Sequence, residues 1–267
     1  MKRIVFTDLD GTLLDLVTYS YQESITGINR LKGDGIPLIF CSAKTRVEQE
    51  VYQRKLEIFH PFIVENGGAV FIPRGYFPFS FDYHKSVAEL LVIELGTAYQ
   101  EIRRLLSKVR EEGGFQFKGF GDMTAEEVAE ASGLDVESAG LAKQREYNET
   151  MKLDGSEAEI GEVLEKIEQA GLNWTHGGRF YSAMGGNDKG KAVKIVTGLY
   201  RRMWGEVETI ALGDSLNDLP MLAVVDIPIL VQKRDCTWEN MDLPDLRRVQ
   251  GIGPEGWSGA IKEIFGG

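Results

Sequence analysis

The chain has 267 residues, 43% of them hydrophobic and 27% charged, enough for one large domain or two modest ones around a substantial buried core. Its net charge of −11 at pH 7 repels nucleic acid and anionic membranes at long range, so neither is an expected partner. No apolar run approaches the roughly 18 residues of a membrane span, and two cysteines, Cys41 and Cys236, are too few for a disulfide or zinc framework. The opening Lys2-Arg3-Ile4-Val5-Phe6 is too short for a signal peptide, so a cytoplasmic location is expected.

Ile4-Val5-Phe6 is continuously apolar, the pattern of a strand buried on both faces of a parallel sheet. Ile25, Ile28 and Leu31 recur at helical spacing, and Gly33 and Gly35 end that helix. Ile36 to Cys41 reads as a second buried strand, and Thr45 with Glu48 as a capping box opening the next helix. A third strand, Phe62-Ile63-Val64, runs into the turn chemistry of Glu65-Asn66-Gly67-Gly68. This alternation predicts a parallel sheet with helices on both faces.

The pattern changes after an aromatic-rich connection from Tyr76 to His84. A strand at Leu90 to Leu95 precedes a helix with Ile102, Leu105, Leu106 and Val109 on one stripe, and Thr124 with Glu127 starts another helix. A strand at Thr150 to Leu153, a helix through Val163, Leu164 and Ile167, and strands at Leu172 to Thr175 and Arg179 to Met184 follow. The parallel pattern then resumes with a helix from about Asp188 to Met203 and strands at Thr209 to Leu212 and Ile227 to Val231. The expected fold class is α/β: a parallel-sheet, Rossmann-like core over residues 1–83 and 186–267, interrupted by a smaller α+β unit over residues 84–185.

Two acidic clusters end strands of that core. In Asp8-Leu9-Asp10-Gly11-Thr12 the two acids stand two residues apart and point the same way at the carboxyl edge of the first strand, where ligands of open α/β sheets bind. Paired carboxylates repel each other and attract a cation, and an all-oxygen donor set suits Mg2+. Gly213-Asp214-Ser215-Leu216-Asn217-Asp218 follows the apolar Ile210-Ala211-Leu212 in the same manner. Asp214 is the better metal ligand; Asp218 either binds through water or supports the loop. Ser42, ending the second strand, offers a hydroxyl and nearby N–H groups to a phosphoryl oxygen. Lys189 lies at a helix start, where ammonium and helix dipole together neutralise phosphate. Taken singly, each has a plainer reading as a cap, a turn or a solvated charge.

In combination and in this order, Asp8-Leu9-Asp10-Gly11-Thr12, Ser42, Asp188-Lys189-Gly190-Lys191 and Gly213 to Asp218 resemble the four motifs of the haloacid dehalogenase superfamily of phosphatases, and the insertion resembles the α+β cap of its sugar-phosphatase branch. Four further segments are similar to the mannosyl-3-phosphoglycerate phosphatase family: Ser42 to Arg46, Val64 to Gly68, Arg145 to Thr150, and Thr175 to Tyr181. The resemblance implies that Asp8 is a nucleophile forming a phosphoaspartate, that Asp10 is general acid and then base, and that Mg2+ is held by the Asp8 and Asp214 carboxylates and the Asp10 carbonyl. Ser42 and Lys189 would hold phosphoryl oxygens. The implied partner is a phosphorylated sugar-glycerate. Arg145, Arg179 and His176 are the cap candidates for its carboxylate and hydroxyls, with Lys44 and Arg46 facing it from the core. A broader sugar-phosphate or glucosyl-3-phosphoglycerate phosphatase, a phosphohexomutase of the same fold and a non-catalytic binding protein are the competing readings.

Overall fold

In the computed structural model, which describes residues 1–266, the apolar opening run becomes β1 (Lys2–Thr7), whose last four residues are buried. The chain continues through α1 (Ile25–Gly33), β2 (Leu38–Phe40), α2 (Arg46–Leu56), β3 (Phe62–Val64), β4 (Ala69–Pro73), β5 (Lys85–Val87) and β6 (Leu90–Glu94). Next come α3 (Tyr99–Gly113), β7 (Lys118–Gly119), α4 (Ala125–Ser132), α5 (Val136–Ala142), β8 (Asn148–Lys152), α6 (Glu157–Gln169), β9 (Asn173–Gly177) and β10 (Phe180–Met184). It closes with α7 (Lys189–Trp204), β11 (Val207–Gly213), α8 (Leu219–Leu222), β12 (Ile227–Gln232), β13 (Arg247–Ile252) and α9 (Pro254–Phe265).

Five parallel strands form the central sheet in the order β13-β12-β11-β1-β2, with Val5 opposite Ile210 on one side and Leu38 on the other. Alternate side chains enter opposite layers. Val5, Phe40, Leu212 and Val231 pack with Ile28, Leu31 and Trp257 of α1 and α9, whereas Ile4, Phe6, Ala211 and Leu230 pack with Val193, Val196, Tyr200 and Met221 of α7 and α8. Cover on both faces is why these strands are unbroken apolar runs in sequence. Because β1 and β11 run in parallel with Thr7 opposite Leu212, they end at the same edge, and the Asp8 N–H donates to the Leu212 carbonyl at 3.0 Å. The two acidic clusters are therefore neighbours.

The third strand departs from the expected parallel pairing. Ile63 meets Cys41 in one parallel bridge, but β3 otherwise pairs antiparallel with β4, in a second sheet ordered β3-β4-β6-β5. The cause is the turn after it: Glu65, Asn66 and Gly67 have φ of 49°, 56° and 85°, which turns the chain straight back. That sheet runs across position 84, since β5 and β6 both belong to it. On this pairing we propose that the inserted unit starts after Glu94.

The inserted unit is built on an antiparallel sheet, β7-β8-β10-β9. One face carries α3 and α6 through Ile102, Leu106, Val163 and Ile167 over Met151 and Ala183. Across β8, β10 and β9, Thr150, Ser182 and Thr175 stand in register on the opposite face, and α4 and α5 close one end around Phe120 and Phe180. Among the described residues no helix is long and apolar enough to cross a membrane.

One helix contact reaches directly toward the acidic edge. Trp257 of α9 is fully buried; its Nε1 donates to Thr7 Oγ1 at 3.0 Å, and that hydroxyl donates to the Asp8 carbonyl at 2.7 Å. The ring fits against α1 because residue 27 is glycine: a Cβ there would fall 2.7 Å from it. Overpacking costs about 1–3 kcal/mol, more than the gain of up to about 1 kcal/mol that alanine brings to a helix. Gly27→Ala is therefore expected to lower stability, read as a lower urea midpoint at unchanged slope.

Candidate active site

At the shared strand edge a single buried ammonium joins the two clusters. Lys189 Nζ donates to Asp8 Oδ1 at 2.7 Å and to Asp218 Oδ1 at 2.6 Å. The lysine opens α7, whose N-cap Asp188 accepts from Lys191 N at 2.8 Å, so the helix start sets its direction. Burial opposes the charge on Lys189, but the Asp218 and Asp8 carboxylates more than offset it and hold the ammonium above its ordinary range. Asp218 Oδ2 accepts from the N–H groups of Asp214 and Ser215 at 3.0 and 3.2 Å. With both oxygens engaged, Asp218 braces the loop.

Asp214 Oδ1 accepts from Thr12 Oγ1 at 3.0 Å. Its other oxygen faces Gly11, where φ is +81° and a Cβ would come within 2.7 Å, so only glycine lets the first loop approach so closely. Carboxylate oxygens of Asp8, Asp214 and Asp218 lie within 4.8 Å of one another, three acids against one lysine. Burial, then repulsion from neighbouring acids, raises the Asp214 carboxyl; burial likewise raises Asp218 in spite of Lys189. A divalent cation relieves that repulsion, and the hydrogen-bond pattern leaves Oδ2 of Asp8 and of Asp214 to take it. The residues present thus fit a hard divalent metal.

Asp10 turns toward a neighbouring cation. Lys44 Nζ lies 3.0 Å from Asp10 Oδ2 and 3.4 Å from Glu48 Oε1, and Asp10 Oδ1 has no partner among the described residues. Desolvation raises the Asp10 carboxyl above its ordinary range against the pull of Lys44. Ser42 is buried beside them; its own N–H is committed to the Ile63 carbonyl at 3.1 Å, and its hydroxyl oxygen accepts from the Lys44 N–H at 3.3 Å.

A cavity of about 110 Å³ lies between these acids and the inserted unit. Asp8, Asp10, Ser42, Lys44, Asn66 and Asn217 line it from the core; Thr150, Thr175, Ser182, Phe120 and Phe180 line it from the cap. Arg145 and Arg179 also line it, and neither has a carboxylate within 4 Å among the described residues. Arg46 does not reach it, being held by Glu50 at 2.8 Å and Glu146 at 3.4 Å. His176 stacks on Tyr181 at 4.4 Å and opens instead into an adjoining cleft of about 330 Å³ with Asp15, Lys233 and Glu239. Sequence reasoning missed Thr12, Asn66, Asn217 and the three cap hydroxyls. Thr12, Asn66, Asn217, Thr150 and Thr175 sit inside segments already singled out, whereas Ser182 carries only the alternation of a strand.

Glu65 stands in the turn after β3. Its carboxyl group accepts from the N–H groups of Glu146, Tyr147 and Asn148 at 2.8, 2.9 and 2.8 Å, tying β3 of the core to the segment that enters β8. Burial pushes this carboxyl up to about 7, against Arg145 and the three N–H donors.

Residues 5–235 match the family described as haloacid dehalogenase-like hydrolase. The chain is 51% identical, over 100% of its length and 98% of the relative's, to a glucosyl-3-phosphoglycerate/mannosyl-3-phosphoglycerate phosphatase of Methanococcoides burtonii. It is 42% identical, over 86% of its length and 91% of the relative's, to a mannosyl-3-phosphoglycerate phosphatase of Pyrococcus horikoshii. Its fold is similar to that of a phosphatase of the haloalkanoate (HAD) enzyme superfamily from Bacteroides thetaiotaomicron, with a TM-score of 0.67 over 100% of this chain and 96% of the other at 17% identity. The chain belongs to the haloacid dehalogenase-like hydrolases, as one of their phosphatases.

Proposed function

We propose that the protein is a magnesium-dependent phosphomonoester hydrolase acting through a phosphoaspartate at Asp8, and that its substrate is a free cytoplasmic sugar-glycerate phosphate, mannosyl-3-phosphoglycerate first. The observation that carries this reading is the pairing, in one cavity, of Asp8 and Asp10 with two arginines that have no carboxylate within 4 Å among the described residues. Such a cavity suits a phosphate ester that brings a carboxylate of its own. The two relatives named for mannosyl-3-phosphoglycerate support the sugar, and the name of the first adds the glucosyl compound as a second substrate.

Lys189, on Asp8 Oδ1, fixes the orientation in which the carboxylate meets phosphorus. As the Asp8 oxygen–phosphorus bond forms, the phosphorus–ester oxygen bond breaks, and Asp10 gives its proton to the departing alkoxide. Asp10, now ionised, takes a proton from water whose oxygen bonds to phosphorus; the aspartyl–phosphorus bond breaks, and inorganic phosphate and the Asp8 carboxylate result. Ser42 and Lys189 stabilise the phosphoryl oxygens. A divalent cation held by Asp8, Asp214 and the Asp10 carbonyl would supply charge neutralisation on those same oxygens. Lys44 holds Asp10 beside the leaving group, and its charge keeps the carboxyl from being too weak an acid.

Phosphate release from mannosyl-3-phosphoglycerate, glucosyl-3-phosphoglycerate, mannose 6-phosphate and 3-phosphoglycerate, with magnesium and with chelator, tests the assignment. Magnesium-dependent release from the sugar-glycerates well above the others is expected; equal turnover of all four would discard the substrate, and isomerisation without release would point to a mutase. Asp8→Asn is expected to abolish turnover while circular dichroism stays native, and appreciable residual activity in a clean preparation would sink the nucleophile. Lys189→Met leaves Asp8 and Asp218 buried without their counter-ion and is expected to cost about 3–5 kcal/mol at pH 7. Asp218, which burial already raises, then lacks the lysine that opposes that rise, so the deficit shrinks as pH falls toward 5; urea unfolding at the two pH values reads it.

A further inference from the structure

Two stretches, Glu65-Asn66-Gly67-Gly68 and Arg145-Glu146-Tyr147-Asn148, meet at the cavity wall, and the proposed chemistry uses neither. Three successive N–H groups on the fully buried Glu65 carboxyl group fix the course of residues 146–148. The turn is cut to that fit, since a Cβ on Gly68 would run into Tyr147. Arg145 precedes the anchored triplet. Its Nη1 donates to the Ala43 carbonyl at 3.0 Å and to Asn148 Oδ1 at 2.6 Å, and the guanidinium lies over Phe120 at 5.6 Å. That places it beside Ser42. Its Nε is buried without a partner among the described residues. Asn66, 2% exposed, accepts through Oδ1 from Asn217 Nδ2 at 3.2 Å, and its own Nδ2 likewise has no partner among the described residues. Both side chains line the cavity of Asp8 and Asp10. Native structures rarely leave buried donors unpaired, so both call for an acceptor.

We infer that Arg145, with the Asn66 amide, reads the carboxylate of the substrate, and that Glu65 is the positioning residue that holds Arg145 in place; the inference rests on the proposed substrate class. A planar guanidinium matches a carboxylate in a way a point charge does not. In 3-phosphoglycerate and its glycosides the carboxylate stands two carbons from the phosphoester oxygen, so its reader must sit next to the phosphoryl site, where Arg145 touches Ala43. Arg179 is committed to the Ser132 carbonyl and the Tyr19 hydroxyl at the partition with the second cleft. Arg46 is neutralised by two glutamates outside the cavity.

The test is calorimetric titration of the Asp8→Asn protein in magnesium with mannosyl-3-phosphoglycerate, 3-phosphoglycerate and glycerol 3-phosphate, the last carrying a hydroxymethyl group where the others carry the carboxylate. Adding Arg145→Ala is expected to weaken both carboxylate ligands by about 100-fold, as for loss of a buried charge partner, and glycerol 3-phosphate by less than about 3-fold. Guanidinium added to that variant should restore carboxylate binding, and Arg145→Lys should fall between. Glu65→Gln, which turns one acceptor into a donor facing N–H groups, should weaken the carboxylate ligands by about 10-fold and spare glycerol 3-phosphate. Equal binding of 3-phosphoglycerate and glycerol 3-phosphate by the parent protein, or equal losses on both in Arg145→Ala, overturns the inference. Equal losses on all three in Glu65→Gln overturn the positioning role. If the mannosyl compound binds no better than 3-phosphoglycerate while Arg145 still discriminates, the sugar assignment fails and the carboxylate site stands.

Discussion

Everything at the acidic edge depends on one buried ammonium. Lys189 sits between Asp8 and Asp218 with no access to water, and three carboxylates crowd around it. Burying one charge without a partner is prohibitive, and burying this set is tolerable only because opposite signs alternate at hydrogen-bond distance. The excess negative charge that remains is what makes the site a cation trap, and the lysine keeps that excess to a level a divalent ion can neutralise. The fold supplies the arrangement through parallel pairing, which delivers two strand ends and the start of α7 to one place.

The cap answers the core with chemistry of a different kind. Its sheet turns apolar residues toward α3 and α6 and a row of hydroxyls, Thr150, Ser182 and Thr175, toward the acids. Hydroxyls cost little to bury when a sugar supplies their partners, whereas a charged cap face would either compete for the metal or demand a fixed counter-ion. The two arginines are the exceptions, and each donates to a carbonyl oxygen with no carboxylate within 4 Å among the described residues. A cavity that already paired its arginines would have no preference for an anionic substrate.

What could be read from the sequence was whatever local periodicity encodes. Asp8 and Asp10 follow an apolar run, so their place at a strand end was visible, and so were the helix starts at Thr45 and Thr124, where the capping boxes form as written. The antiparallel turn of β3 into β4 was not, because alternation along a strand carries no information about its neighbour's direction. Arg247 to Ile252 escaped notice because an exposed edge strand lacks the apolar signature of its buried companions, and α9 with it. Glu65 was visible only as a turn residue, since its partners begin 81 positions later. Burial that depends on distant contacts has no local signature.

The Glu65 clamp also constrains how the two halves can part. It is not the only fastening: the Tyr19 hydroxyl donates to the Ser132 carbonyl at 2.9 Å, Thr45 Oγ1 donates to the Leu141 carbonyl at 3.2 Å, and Arg179 donates to the Tyr19 hydroxyl at 3.3 Å. Parting the halves while Glu65 keeps its three N–H donors requires these contacts to break first.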